Sequence, residues 1–188
     1  ITLLGDEDTI RSLAAEAGAN LNGVDIIDHR KSHDFGKLAT LYHQMRILKG
    51  VTLEEAEQTV KDPLYFGNLM VRDGKADGSV AGATNTPAHT VAAALRCIGV
   101  RAGRKTVSSF FLMVVPDKKF GADGAMIYAD CGVVIDPDSG QLAEIAIASA
   151  DSSIPTMIIR RPAARSAAAI MNVDLLFLHG LMVASAGI

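Results

Sequence analysis

The spacing of apolar positions along this 188-residue chain switches repeatedly between strand-like and helix-like periods. Residues 1–4 are a short apolar run that stops at Gly5, as the end of a buried strand does. Across residues 6–17, Ile10, Leu13, Ala14 and Ala17 fall on one helical face, with Gly18 as the stop signal. Residues 24–27 form a second short strand before a polar stretch. Leu38, Leu41, Tyr42, Met45 and Leu48 then mark an amphipathic helix over residues 38–48, closed by Gly50. Thr52 and Glu55 have the spacing of a capping box for a helix reaching Val60, and Asp62-Pro63 opens another that ends at Gly74. A strand over residues 76–83 leads into a helix from Pro87 to Ile98. Apolar strands follow at residues 106–115 and 125–129, and a last helix at residues 141–150.

Strands that alternate with helices imply crossover connections. The expected fold class is therefore α/β: a mainly parallel sheet with helices on both faces, a three-layer αβα arrangement, with the strand over residues 106–115 central and buried. This pattern holds over residues 1–153. Residues 154–188 read differently: first Arg- and Ala-rich around Arg160, Arg161 and Arg165, then a mixed apolar run, a tail of unclear origin.

Composition narrows the function. With 49% hydrophobic and 21% charged residues, the chain can bury a core. A net charge of −3 and the absence of Trp argue against a nucleic-acid partner. Cys97 and Cys131 do not form a CxxC, and the five His are scattered, so neither a disulfide framework nor a zinc site is expected. Both cysteines read as buried thiols. There is no long apolar span or leader, so the expected location is the cytoplasm, with no membrane partner. The missing initiator Met points to a start inside a longer protein or to trimming. No GxGxxG follows a strand, which disfavours a dinucleotide oxidoreductase.

Three places carry candidate chemistry. After the strand over residues 76–83, Thr84, Asn85 and Thr86 precede Pro87 at a helix start, with Thr86 as N-cap. Helix N-termini at the carboxyl edge of a sheet favour anions. Ser108 and Ser109 interrupt an apolar strand and need hydrogen-bond partners, and Asp130 ends the next strand. Arg46 follows Tyr42 by one helical turn. It either complements the helix dipole or grips a phosphate through two donors.

In order along the chain, several stretches resemble the phosphate acetyltransferase family. They are Leu3-Leu4-Gly5-Asp6, Tyr42-His43-Gln44-Met45-Arg46 with Lys49-Gly50, and Asp62-Pro63-Leu64-Tyr65-Phe66-Gly67. Then come Ala76-Asp77-Gly78 with Ala81-Gly82-Ala83, Val107-Ser108-Ser109-Phe110-Phe111, Tyr128-Ala129-Asp130-Cys131, and the helix from Gln141 to Ile147.

The resemblance implies a two-domain α/β homodimer with its active site in the interdomain cleft. The implied reaction moves an acetyl group between coenzyme A and orthophosphate without a metal or organic cofactor, coenzyme A being a substrate. It implies substrate-binding roles for Arg46, Thr84, Asn85, Thr86, Ser108, Ser109 and Asp130, and leaves the catalytic residues unassigned. Phosphate butyryl transfer and a non-catalytic ligand-sensing module are the alternatives. Two departures stand out. Ala92 occupies the position of a family arginine, with Arg96 one turn later as the candidate substitute. After Ser153 the family can no longer be followed, and its catalytic Asn-Asp-Leu-Ser-Arg-Gly segment has no counterpart.

Overall fold

The computed structural model describes residues 1–130, 133–150 and 181–184. The chain packs as two units, one holding Ile1–Gly99 with the stretch from Leu175, the other Val100–Asp174.

In the first unit, β1 (Thr2–Leu4) is followed by α1 (Glu7–Glu16) and β2 (Asp25–Ile27). Asp6 caps α1, its Oδ1 accepting the Thr9 N–H at 2.9 Å, and Ile10 and Ala14 are the residues that α1 buries. The helix carries the chain back over the edge, so β2 pairs with β1 in parallel, Leu3 opposite Ile26.

Next comes α2 (Phe35–Arg46), which ends two residues earlier than the apolar spacing suggests. The chain tightens into a 3₁₀ turn at Ile47–Lys49, and Gly50, at φ 81°, closes it in a left-handed conformation open to glycine without strain. Leu48 is consequently 97% exposed instead of joining the core face. The expected capping box forms: Thr52 Oγ1 accepts the Glu55 N–H at 3.2 Å while Glu55 accepts the Thr52 N–H at 2.8 Å, opening α3 (Leu53–Val60). Asp62 caps α4 (Pro63–Arg72), with Pro63 in its first turn.

This fourth helix is the heart of the unit. Every residue from Leu64 to Met70 is buried, as expected of a helix surrounded by packing partners. Leu64, Phe66 and Leu69 join Leu4, Leu38, Ala39, Tyr42, Ala56, Val60, Ala93 and Cys97 in one core. Asn68 is the polar member: its Nδ2–H donates to the Leu64 carbonyl at 2.8 Å, and its Oδ1 accepts the Ser79 hydroxyl at 2.8 Å. That bond ties α4 to β3 (Gly78–Val80). Asn68→Ala strips the half-buried Ser79 hydroxyl of its acceptor and removes a buried amide, so a loss of roughly 1–3 kcal/mol is expected in urea unfolding. A change below about 0.5 kcal/mol, the scale of a neutral surface substitution, would contradict this role.

Thr86 caps α5 (Pro87–Cys97), accepting the His89 N–H. The four-stranded sheet runs β2-β1-β6-β3, where β6 is Leu181–Ala184. Strand β6 lies antiparallel to both β1 and β3. The rest of the tail lies outside the described residues.

In the second unit, β4 (Phe110–Val114) and β5 (Ala125–Ala129) form a two-stranded antiparallel sheet, with α6 (Ser139–Ala150) further on. Among the described residues the sheets are small and only β1 and β2 pair in parallel, so the elements are α/β and the expected mainly parallel three-layer sheet is not seen there. The reason is the connection between β4 and β5. It holds no helix, and it is shorter than the dozen or so residues a parallel crossover needs, so the chain folds back on itself. The strand expected over residues 106–115 is correspondingly shorter and not central. Leu112 is buried, but Phe111, Met113 and Val114 are exposed.

Candidate active site

Within the first unit, a cavity of about 240 Å³ opens where β1 and β3 end and α4 begins. Leu4 and Gly5 come from the end of β1, Pro63 and Leu64 from the first turn of α4, and Ala81, Gly82, Thr84 and Asn85 from the loop after β3; His29 and Arg30 complete the lining. Gly82 has φ 120°, a backbone state that side-chain-bearing residues rarely adopt, and it keeps this wall thin. Arg30 forms no ion pair among the described residues, leaving a cation at the rim. The sequence-predicted residues Thr84 and Asn85 therefore do line a cavity. Thr86 serves α5 as its cap, and Arg46 is not part of this lining.

His29 is 6% exposed. Its Nε2–H donates to the Lys61 carbonyl at 3.0 Å, and its ring meets Phe66 edge-on at 5.9 Å. The other nitrogen, Nδ1, is buried and has no partner among the described residues. Protonating it would place an N–H where nothing accepts it. Burial accordingly holds the His29 pKa below its ordinary value, against the Lys61 hydrogen bond and the Asp28 and Asp62 charges that favour protonation. Because the folded pKa is depressed, the unfolded chain binds the extra proton first as acid is added. His29 thus stabilises the fold fully above about pH 6.5, and the contribution is lost as pH falls through the folded pKa. The melting temperature is expected to drop below about pH 6.5, and His29→Gln should flatten that drop. An unchanged acid limb in the variant would refute the assignment.

The first turn of α4 also serves a second cluster. Asp62, besides capping α4, accepts from His89 Nε2 at 2.7 Å, which holds the starts of α4 and α5 together. The Tyr65 ring lies 6.1 Å from the His89 ring and 5.7 Å from Tyr42, edge-on to the latter. Arg96 Nη1 donates to the Tyr65 hydroxyl at 2.8 Å. Arg46, one turn after Tyr42 on α2, has a buried Nε without a hydrogen-bond partner among the described residues. Cys97 closes the floor, fully buried, with its thiol pushed up to about 12 by burial. At that value it is a packing residue and not a nucleophile, which matches the reading of Cys97 as a buried thiol. Cys131 lies outside the described residues.

Ser108, Ser109 and Asp130 belong to the second unit. The Asp130 N–H donates to the Ser109 carbonyl, and Asp130 Oδ1 accepts the Val134 N–H at 3.1 Å, with Asp130 itself at φ 58°. Its carboxylate organises the turn after β5. Ser108 and Ser109 precede β4 instead of interrupting it. A larger cavity of about 520 Å³ lies in this unit between Lys105, Thr106, Val133, Val134, Gln141 and Glu144. It contains none of the predicted site residues, and Glu144 is occupied accepting the Lys105 and Thr106 N–H groups. The chemistry-bearing residues favour the smaller cavity.

Sequence reasoning missed His29, Asp62, Tyr65 and His89 as site residues. Only Asp62 had a local signal, its Asp-Pro cap. The others acquire their setting from partners far along the chain.

The fold and this arrangement define a class: an α/β protein with a cavity where strand ends and a helix start meet, lined in part by Arg30, which forms no ion pair among the described residues. Comparison with known proteins makes it specific. The family model for phosphate acetyl/butaryl transferase matches residues 1–165, twelve residues past Ser153, where the motif resemblance ends. The chain belongs to that family. It is 45% identical over 162 residues to the phosphate acetyltransferase of Acetivibrio thermocellus, covering 86% of this chain and 48% of the relative. It is 44% identical over 153 residues to that of Thermoanaerobacterium thermosaccharolyticum, covering 81% and 46%. Among solved structures, the EutD phosphotransacetylase of Staphylococcus aureus superposes with a TM-score of 0.68 at 33% identity, over 80% of this chain and 44% of that one. The chain therefore spans about half the length of the curated relatives it matches.

Proposed function

We propose that these residues form the substrate-binding half of a phosphate acetyltransferase, which moves an acetyl group reversibly between coenzyme A and orthophosphate. The observation that supports this most directly is family membership combined with a cavity at the β1 and β3 ends that Arg30, without an ion pair among the described residues, helps to line. In the direction of acetyl-CoA formation, the coenzyme A thiol loses its proton to a base. The thiolate attacks the acetyl carbonyl, and the bond to phosphate breaks, releasing orthophosphate. The protein's task is to hold both substrates together and to balance phosphate charge, for which cations and helix starts are suited. Acetyl transfer is favoured over butyryl transfer because the curated relatives above are phosphate acetyltransferases.

The same reading extends to a two-domain αβα fold with the site in its cleft, a homodimer, a cytoplasmic location and chemistry without an added cofactor. Among the described residues no helix is long and apolar enough to cross a membrane. Titration calorimetry of the purified chain tests the reading: both coenzyme A and inorganic phosphate should bind. If neither produces heat or protects the fold against melting, the reading is wrong.

A further inference from the structure

The cavity in the first unit has walls on two separate elements. Pro63 and Leu64 bring the first turn of α4, and Ala81, Gly82, Thr84 and Asn85 bring the loop after β3. Leu64 belongs to the core, so its wall is fixed. The loop has little of its own to hold it. Gly82 sits at φ 120°, and among the described residues the side-chain bonds of Thr84 and Asn85 amount to one contact with each other, 3.4 Å from Asn85 Nδ2 to Thr84 Oγ1. The upstream end of the loop is pinned by β3, so its placement against α4 turns on the downstream end, at Thr86. His89 joins that end to the facing wall. Its backbone N–H donates to Thr86 Oγ1 at 3.3 Å, one residue beyond Asn85. Its ring Nε2–H donates to Asp62 Oδ2 at 2.7 Å, one residue before Pro63. An ionised carboxylate only accepts, which sets the direction of that bond. The other oxygen of Asp62 accepts the Leu64 N–H at 2.8 Å. The Tyr65 ring, 6.1 Å from the imidazole, backs it.

We propose that the Asp62–His89 pair is a clasp that positions the loop of residues 81–85 against the start of α4 and so sets the affinity of the cavity for its ligand. The clasp rests on the geometry; the ligands used to test it rest on the function proposed above. His89 is a positioning residue, since it is not among the residues that line the cavity. Magnitudes separate this role from a structural one. The His89 and Asp62 side chains are 44% and 29% exposed, and an ion pair so open to water adds little to stability. Affinity is a different quantity. With the clasp closed, a ligand meets both walls already in place. With it open, binding must first order the loop, and that ordering is subtracted from the affinity.

Hydrogen exchange on the 188-residue chain tests the clasp, and calorimetry tests its consequence. His89→Ala removes the ring donor and keeps the backbone N–H to Thr86. His89→Gln places an amide N–H near the position of Nε2 and should close the clasp again. In His89→Ala the loop amides from Gly82 to Asn85 are expected to exchange about tenfold faster, and in His89→Gln at close to the wild-type rate. Coenzyme A and inorganic phosphate are titrated separately. Whichever occupies this cavity should bind His89→Ala about five- to tenfold more weakly, the scale of ordering a side chain or two, while the melting temperature falls by only a few degrees. In an Asn85→Ala background the His89→Ala loss should shrink, because the clasp acts through the wall that Asn85 lines. Loop exchange and affinity that both stay unchanged in His89→Ala overturn the clasp. Faster exchange with unchanged affinity for both ligands overturns it too, since the pair then holds a loop that no ligand uses. Weaker binding that comes with a large drop in melting temperature, and that His89→Gln leaves unrepaired, assigns the pair to stability and overturns it as well. A wild-type chain that binds neither ligand overturns the proposed function, while the exchange of the loop amides still decides whether the pair holds the loop.

Discussion

Assayed alone with coenzyme A and acetyl phosphate, these 188 residues are expected to make thioester far more slowly than about 10 s⁻¹, the rate of a median enzyme. The resemblance assigns the serine, arginine and aspartate of catalysis to a segment with no counterpart in this sequence. The chain also spans 48% and 46% of two relatives that carry out the reaction by name. Removing a preorganised charge-stabilising donor costs roughly 10²–10³ in rate, and a positioned general base contributes about 10²–10⁴. The two losses need not multiply, since groups that act as a unit are not additive. Even the smaller one leaves little turnover. Binding is a separate matter: Thr84, Asn85 and Arg30 line their cavity. Substrate affinity without turnover is therefore the expected combination. Turnover of about 10 s⁻¹ from a preparation whose mass is 19.8 kDa would overturn it. It would also direct attention to Asp174 and His179 as replacement bases, both outside the described residues.

Phe66→Ala is expected to remove roughly 3–5 kcal/mol of stability. Phe66 is 1% exposed and sits in the middle of α4, the helix packed on every side. Its ring supports the buried imidazole of His29 edge-on, and its neighbours in the core include Leu4, Leu38, Val60 and Leu69. Truncation leaves a cavity that a helix clamped by partners cannot collapse into, so the cost includes both lost burial and lost contacts. Domains of this kind hold only about 5–15 kcal/mol in all, so the variant should unfold at a much lower urea concentration. It should also release His29, weakening the pH dependence described above. A loss under about 1 kcal/mol would mean that the core relaxes around the gap. Phe66→Leu, which keeps most of the volume, should cost markedly less.

What the sequence determined by itself was local. The Thr52 capping box, the Asp62-Pro63 start of α4, the Thr86 cap of α5 and the span of β5 all came out as read. Each depends on a side chain bonding to backbone a few residues away, or on alternation within one strand, and these need no knowledge of the rest of the chain. The choice of Thr84 and Asn85 followed from the same logic, because a strand end running into a capped helix creates a lined hollow wherever it occurs. Tertiary structure decided the rest. The apolar spacing that included Leu48 could not reveal that a 3₁₀ turn would swing it into solvent. Nothing near β1 or β3 announces that residues 181–184 insert between them in the opposite direction. The hydrophobic strand before Val115 read as central because its composition is apolar, yet burial depends on what covers a strand, and among the described residues β4 has only β5 beside it. The site shows the same division. Arg96 finds Tyr65 across 31 residues of chain and His89 finds Asp62 across 27. Such pairs form only when helices α2, α4 and α5 dock through the core, and the apolar residues that drive the docking carry no mark of which polar groups they will bring together.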